Sequence, residues 1–417
     1  MNVKDMASGV PPAGAYLGRT LAAASPAGAA GFAPVSSGRL KAAPFGTTRR
    51  TRRVLRDDRF QSERKCHAMP EREPRPVSVI IPARNEEENI ERVVRSLERQ
   101  EHVREIIVVD DESTDGTPEI LARLSDDIQL LRVIRLDSLP EGWVGKNRAA
   151  AAGAETATGE WLLFTDADTE HLPGSLGSML ARARAENADL VSLSPGQETP
   201  TWWEKAIIPY VFMKLARLFP FEEVSDPASP CAAANGQYLL IRRSVYNETG
   251  GHAAIRGAIL DDVELARRVK AAGGRLLFLP GAEWVRTRMY RTFGAMWQGW
   301  SKNLFLLYGG RLGRMVSDLA ATLLMDVLLP LAFVVFAVLV LAGRLAGWVL
   351  LATLTCFAGS VLRQWSYGAS LARLGFDPRL DIFQPIGAGL YVLLLLNSMW
   401  AYTVSGGVQW KGRKYQA

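Results

Sequence analysis

Cysteine and histidine are scarce in this chain, with three and four among its 417 residues. Cys66, Cys231 and Cys356 lack metal-ligand spacing, and three thiols make no disulfide framework, which fits a reducing compartment for any soluble part. His67, His102, His171 and His252 show no ligand spacing either, and the expectation is that they are solvated loop residues. No G-x-G-x-x-G follows the first strand-like run, so the fingerprint of nicotinamide-dinucleotide binding is missing. Basic residues are not interleaved with aromatics in a nucleic-acid pattern, and the net charge of +6 points instead toward anionic lipid. Residues 1–73 contain no apolar run long enough for a signal peptide or a membrane span. Their Ala, Gly, Pro and Ser content, with arginines at Arg49, Arg50, Arg52, Arg53 and Arg56, reads as a disordered leader.

What is present divides in two. Residues 74–310 hold most of the charge and alternate strand and helix patterns. Short apolar runs at 77–81, 105–110, 130–136, 160–165, 188–193 and 237–241 read as strands. Helical spacing at 89–100, 117–124, 146–158 and 261–272 fills the gaps. The alternation predicts an α/β domain with a mostly parallel sheet, whose ligands sit beyond the carboxyl ends of the strands. Residues 311–417 carry apolar runs at 319–341, 345–362 and 386–404, each near the length of a membrane helix, followed by a basic tail with Lys411, Arg413 and Lys414. Asp326 within the first run is expected to face headgroups or a neighbouring helix.

Carboxylates gather where two strands end. One run reads DDESTDGT from Asp110, and the other D-A-D at Asp166 to Asp168. Acidic pairs at a sheet mouth are costly without a cation, and Mg²⁺ or Mn²⁺ held by one or two carboxylates plus substrate phosphates would supply it. Taken singly, each run also reads as an N-cap for the next helix. A third acidic run, Asp261-Asp262-Val263-Glu264, suits the positive end of a helix dipole.

The order of P-A-R-N-E-E at 82–87, DDESTDGT, G-K-N at 145–147 and D-A-D resembles the family 2 glycosyltransferases of GT-A type, over roughly residues 76–310. The resemblance implies a Rossmann-like domain that uses a nucleotide-sugar, usually a UDP-sugar, and a divalent metal. It implies that Pro82, Ala83 and Glu86, with Asp110 or Asp111, hold the nucleoside, and that Lys146 lies near the diphosphate. Asp166 and Asp168 would coordinate the metal, Asp262 would stand at the base position, and Asp261 would replace the family's usual Glu. The segments LPEGWVGK, AAIRGAILDD, GWSKN and QWKGRKY resemble a membrane-bound subgroup that includes hopanoid-biosynthesis-associated, carotenoid-acid and ceramide glucosyltransferases. Two departures stand out: no membrane helix precedes Pro76, and the Q-x-x-R-W of processive synthases is absent, with Lys302 near the Arg position. Single-sugar transfer to a membrane lipid follows. A processive polysaccharide synthase and a non-catalytic membrane scaffold remain as alternatives.

The acceptor side is expected between the metal and base motifs. Residues 201–221 mix Trp, Tyr and Phe with Lys205, Lys214 and Arg217, the composition of an interfacial helix, and residues 290–305 are similar. Gly236 is read as a close-approach position for a sugar, or as a plain turn. Cytosolic nucleotide-sugars place the catalytic part inside a bacterial-type inner membrane. Arg311 and Arg314 agree with the positive-inside rule, whereas three full spans would put the basic tail outside, against it.

Overall fold

The computed structural model describes residues 76–344, 346–410 and 413–415. The expected leader over 1–73, and Lys411 of the basic tail, lie outside the described residues. The element order is β1 (Val77–Ala83), α1 (Ile90–Glu98), β2 (Val103–Asp111), α2 (Thr117–Asp127), β3 (Leu131–Leu136), α3 (Gly145–Thr156) and β4 (Trp161–Phe164). Then come β5 (Thr169–His171), α4 (Ser175–Ala185), β6 (Leu190–Gln197), α5 (Trp202–Leu218), β7 (Leu239–Arg242), α6 (Asp261–Ala271), β8 (Leu276–Thr287) and α7 (Phe293–Leu307). Beyond them lie α8 (Leu312–Leu341), α9 (Gly347–Arg373) and α10 (Gln384–Thr403).

One sheet runs β3-β2-β1-β4-β7-β6-β8-β5. Its pairs are parallel except where β7 meets β4 and β6 and where β5 meets β8. The predicted α/β, mostly parallel architecture is therefore present, with two reversed strands and with β5 and β8 added to the expected set. Strands β1 and β4 are apolar nearly throughout because helices cover both of their faces. On one face Val79, Ile81, Val93, Leu97 and Leu163 pack together; on the other Ile80, Val109, Ala149 and Leu265 do. Gly153 allows α3 to lie against β1, since a Cβ there would overlap Ile80.

A third apolar cluster joins α5 and α7 to α8, α9 and α10, through Tyr210, Trp300, Leu304, Met315, Tyr367 and Tyr391. The segment over 201–221, expected as an interfacial helix, contributes α5 to this cluster. Helix α5 starts with a capping box between Thr201 and Glu204, and its buried residues run from Trp203 to Lys214. Lys214 is buried against Asp318 Oδ1 at 2.8 Å, so the basic residue that suggested headgroups closes an internal pair. Helix α10 crosses α5 at backbone contact, because Gly387 has no side chain to strike the Ala206 carbonyl.

Among the described residues two helices are long and apolar enough to cross a membrane: Leu312–Leu341, and Pro378–Thr403, which includes α10. Of the expected middle run over 345–362, residues 347–362 belong to α9, which continues through Arg363 to Arg373 and packs on α8. A π-helical turn at Leu323–Leu328 puts Asp326 inside. Asp326 accepts from Arg363 Nε at 2.9 Å, Gln384 Nε2 at 3.0 Å and Tyr210 Oη at 2.7 Å, so it faces neighbouring helices and not headgroups.

Candidate active site

The carboxyl ends of β1, β2 and β4 open into a cleft of about 480 Å³. Its lining includes Pro82, Ala83, Glu86, Asp111, Lys146, Asp166, Asp168, Asp261 and Asp262. Of the residues expected to meet the donor, Asp110 alone is set back. It is buried, accepts from the Ser113 amide at 3.0 Å, and shapes the loop without facing the cleft.

The rest of DDESTDGT fastens the P-A-R-N-E-E loop. The Asn85 amide donates to Ser113 Oγ at 3.0 Å, the Glu86 amide to Thr117 Oγ1 at 2.8 Å, and the Glu87 amide to Asp115 Oδ2 at 3.1 Å. Asn85 and Glu112 hold left-handed φ values of 54° and 59°, a backbone cost that these bonds offset. The two motifs are one structure, which is why they occur together.

G-K-N is equally divided in labour. Lys146, in the first turn of α3, reaches Asp166 Oδ1 at 2.9 Å and Asp261 Oδ2 at 3.4 Å. Asn147 is buried and donates to the carbonyls of Ile255 (2.9 Å), Arg256 (3.2 Å) and Ala258 (2.9 Å), fixing the loop that delivers Asp261 and Asp262. Asp262 sits at the start of α6, where its Oδ1 accepts from the Val263 amide at 2.7 Å and its Oδ2 from the Gly236 amide at 2.9 Å. Gly236 thus does more than turn the chain: a Cβ there would lie 2.6 Å from Lys146 Nζ.

Electrostatics separate the two neighbouring acids. Burial, then the charge of Asp261, pushes the Asp262 carboxyl up to about 6. Burial opposes ionisation of Asp261 as well and is the largest single influence, but Lys146, His252, a backbone hydrogen bond and Lys302 together outweigh it and hold that carboxyl below its usual range. Burial likewise disfavours the Lys146 ammonium, yet Asp166, Asp261 and Asp262 keep it charged far above the ordinary lysine range. Lys302, on α7, lines the same cleft, and burial together with the Lys146 charge brings it down to about 8.

Two histidines expected in solvent are buried, and both brace this site. His171 Nε2 lies 3.0 Å from Thr165 Oγ1, beside Asp166. His252 has its Nδ1 3.0 Å from Tyr246 Oη, and its Nε2 faces Asp261 Oδ2 at 3.9 Å. Tyr246 Oη also accepts from the His252 amide at 3.1 Å, so ring and backbone of His252 are both tied to this tyrosine. Gly250 and Gly251, both at positive φ, bring the chain back onto the Tyr246 ring. Burial lowers His171 to about 3 and His252 to about 4, so both are neutral near pH 7. No ligand spacing marked them; the signal in the sequence was the Gly-Gly before His252.

A second, narrower cavity of about 130 Å³ adjoins the cleft. Its walls are apolar, from Phe212, Leu215, Phe219, Phe278, Trp300 and Leu374. Asp262, Asn235, Leu260, Met289 and Asn303 line both cavities.

Residues 78–250 match the family model described as Glycosyl transferase family 2. This segment is a family 2 glycosyltransferase domain. It contains the loops over 82–87 and 110–117, Lys146, Asp166 and Asp168, while Asp261 and Asp262 follow it. Among curated proteins the chain is similar to the 4,4'-diaponeurosporenoate glycosyltransferase of Staphylococcus haemolyticus, 29% identical over 231 residues, 55% of this chain and 60% of the relative. The Staphylococcus aureus protein of the same name is 27% identical over 237 residues, 56% of this chain and 62% of that one. The chain thus spans about three fifths of the length of these relatives. A mannosyltransferase from Pyrobaculum calidifontis, solved with GDP-Man and Mn²⁺, is 18% identical, covers 76% of this chain and 87% of its own, and has a TM-score of 0.42. The GT-A type of the glycosyltransferase domain rests on its own sheet and on the motifs at the strand ends.

Proposed function

We propose that the protein is a membrane-bound, inverting glycosyltransferase that moves one sugar from a nucleotide-sugar, a UDP-sugar in the first instance, to a lipid acceptor. The observation that carries this reading is the position of Asp262, on the wall shared by the polar cleft and the apolar slot. A base that takes a proton from an acceptor hydroxyl has to face the donor and the acceptor at once. An apolar slot of aromatic and aliphatic side chains fits a lipid chain better than a water-borne sugar. The named activity of the staphylococcal relatives, on a lipid-like acid, supports the same acceptor class.

In this reading Ala83, Glu86 and Asp111 hold the nucleoside, with Pro82 shaping the wall and Asp110 supporting from behind. Lys146 meets the diphosphate. Asp166 and Asp168 offer oxygen ligands of the kind Mg²⁺ and Mn²⁺ take, and among the described residues no third acid, His or Cys gathers with them into a metal-binding cluster. Two carboxylates fit a cation that completes its shell with phosphate oxygens and water. When bound, that cation would offset charge on the departing diphosphate. Asp262 takes the acceptor proton as the new bond forms on the face opposite the leaving group, and Asp261, held ionised by Lys146, keeps the proton affinity of Asp262 high. One displacement inverts the anomeric centre. Helices α8 and α10 anchor the chain in an inner membrane with the catalytic domain on the cytoplasmic side, where nucleotide-sugars are. Arg311, just ahead of α8, and Arg314, in its first turn, agree with that side.

Release of nucleoside diphosphate by the purified protein in lipid nanodiscs tests this. A panel of UDP- and GDP-sugars is offered with Mn²⁺ or Mg²⁺, with and without membrane lipid extract. The expected result is release that needs one donor, metal and lipid together. No release with any donor from folded protein contradicts the reading and favours a non-catalytic scaffold.

A further inference from the structure

We propose that Lys146 keeps the divalent cation out of the free protein and admits it only together with the nucleotide diphosphate. The inference rests on the donor reading above and concerns the order in which that site fills. Three observations lead to it. Lys146 Nζ lies 2.9 Å from Asp166 Oδ1, so an ammonium holds the oxygen that a metal would need. The same nitrogen is 3.4 Å from Asp261 Oδ2 and fills the space that the missing Gly236 side chain leaves, bridging β4 to α6. Among the described residues no cluster of three His, Cys, Asp or Glu residues exists that would hold a metal by itself.

A doubly charged cation beside an ammonium in a low-dielectric cleft is strongly repelled, and two carboxylates do not compensate for that. A diphosphate changes the balance, because it offers oxygens to the cation and a new anionic partner to Lys146. Lys146 stands in the first turn of α3, where backbone amides and the helix dipole also favour phosphate. The lysine then transfers its contact from Asp166 to the phosphates, and Asp166 becomes a ligand. Cation and nucleotide bind as one unit, and by linkage each strengthens the other by the same factor.

The test measures Mn²⁺ affinity by the electron paramagnetic resonance of the free ion, on full-length protein in nanodiscs, without activity as the readout. For the wild type, Mn²⁺ alone is expected to bind weakly and to tighten about tenfold or more when UDP is added. Lys146→Met should bind Mn²⁺ about tenfold more tightly than wild type without nucleotide, with a smaller further gain from UDP than wild type shows. Lys146→Arg, which keeps the charge, should exclude the ion as wild type does and shows that the effect is not loss of fold. Equal nucleotide-free affinities in wild type and Lys146→Met overturn the proposal, as does a wild-type affinity that UDP leaves unchanged. Failure of both UDP and GDP to bind at any Mn²⁺ concentration would bring down the donor reading instead, while the nucleotide-free comparison still judges the exclusion by Lys146.

Discussion

Two groups of carboxylates among the described residues are partnered in opposite ways. Among the helices, Asp326 meets Arg363 and Asp318 meets Lys214, and tyrosines or Gln384 supply further hydrogen bonds. There each negative charge has its own cation. At the sheet mouth Asp166, Asp261 and Asp262 share Lys146, with Lys302 nearby, so negative charge is in surplus among them and faces an open cleft. A matched cluster is finished as it stands, whereas a surplus one is paid for in stability and makes sense when ligands bring the missing charge. The difference separates structural acids from functional ones without reference to any motif.

The largest effect expected from breaking this contrast is at Asp262. Asp262→Asn keeps shape but removes the proton acceptor, so kcat should fall by about 10²–10⁴ while nucleotide affinity, measured by titration, stays put. On the other side of the comparison, Asp326→Ala strands Arg363 and should cost about 3–5 kcal/mol, seen as a lowered unfolding temperature in detergent. Asp166→Ala, drawn from the surplus cluster, should change stability by no more than about 1 kcal/mol in the same assay. A larger loss there would mean that both clusters are structural.

Acid should erode the catalytic domain through its histidines. The folded values of about 4 for His252 and about 3 for His171 lie below an unfolded value of about 6.5. The unfolded chain therefore takes up more protons, and stability is lost as pH falls from about 6.5 toward 4, by on the order of 2 kcal/mol per histidine at pH 5. Unfolding temperature measured against pH checks this, and His252→Gln should flatten the slope. The smallest effect is on rate: with Asp262 raised to about 6, kcat should climb as pH rises through 6 and then level off, being about tenfold down at pH 5. A flat profile from pH 5 to 8 would remove Asp262 from the base role.

Much of this site was legible because parallel strands buried on both faces read as unbroken apolar runs, and β1, β2 and β4 deliver their motifs where those runs stop. Direction was not legible: β7 has the composition of its neighbours but runs against them, and nothing in a four-residue strand records which way it points. Strand β8 escaped because Pro280, Gly281 and Glu283 interrupt its alternation. Asn147 was quoted as part of a motif, yet its work on the 255–258 loop depends on contacts more than a hundred residues away. Lys214 shows the same limit. Aromatic and basic residues on one helix suit a membrane surface and a buried partner equally, and the partner, Asp318, lies 104 positions along the chain.

The most direct measurement is transfer of radiolabelled sugar from the active nucleotide-sugar into lipid. Protein in nanodiscs carrying membrane lipid extract is incubated with donor and Mn²⁺, and label is counted in the organic phase for wild type and Asp262→Asn. The account predicts one labelled lipid product with wild type, and at most about a hundredth as much with the variant. Label that stays in water as free sugar or soluble polymer, or a variant that labels lipid as well as wild type, would contradict it.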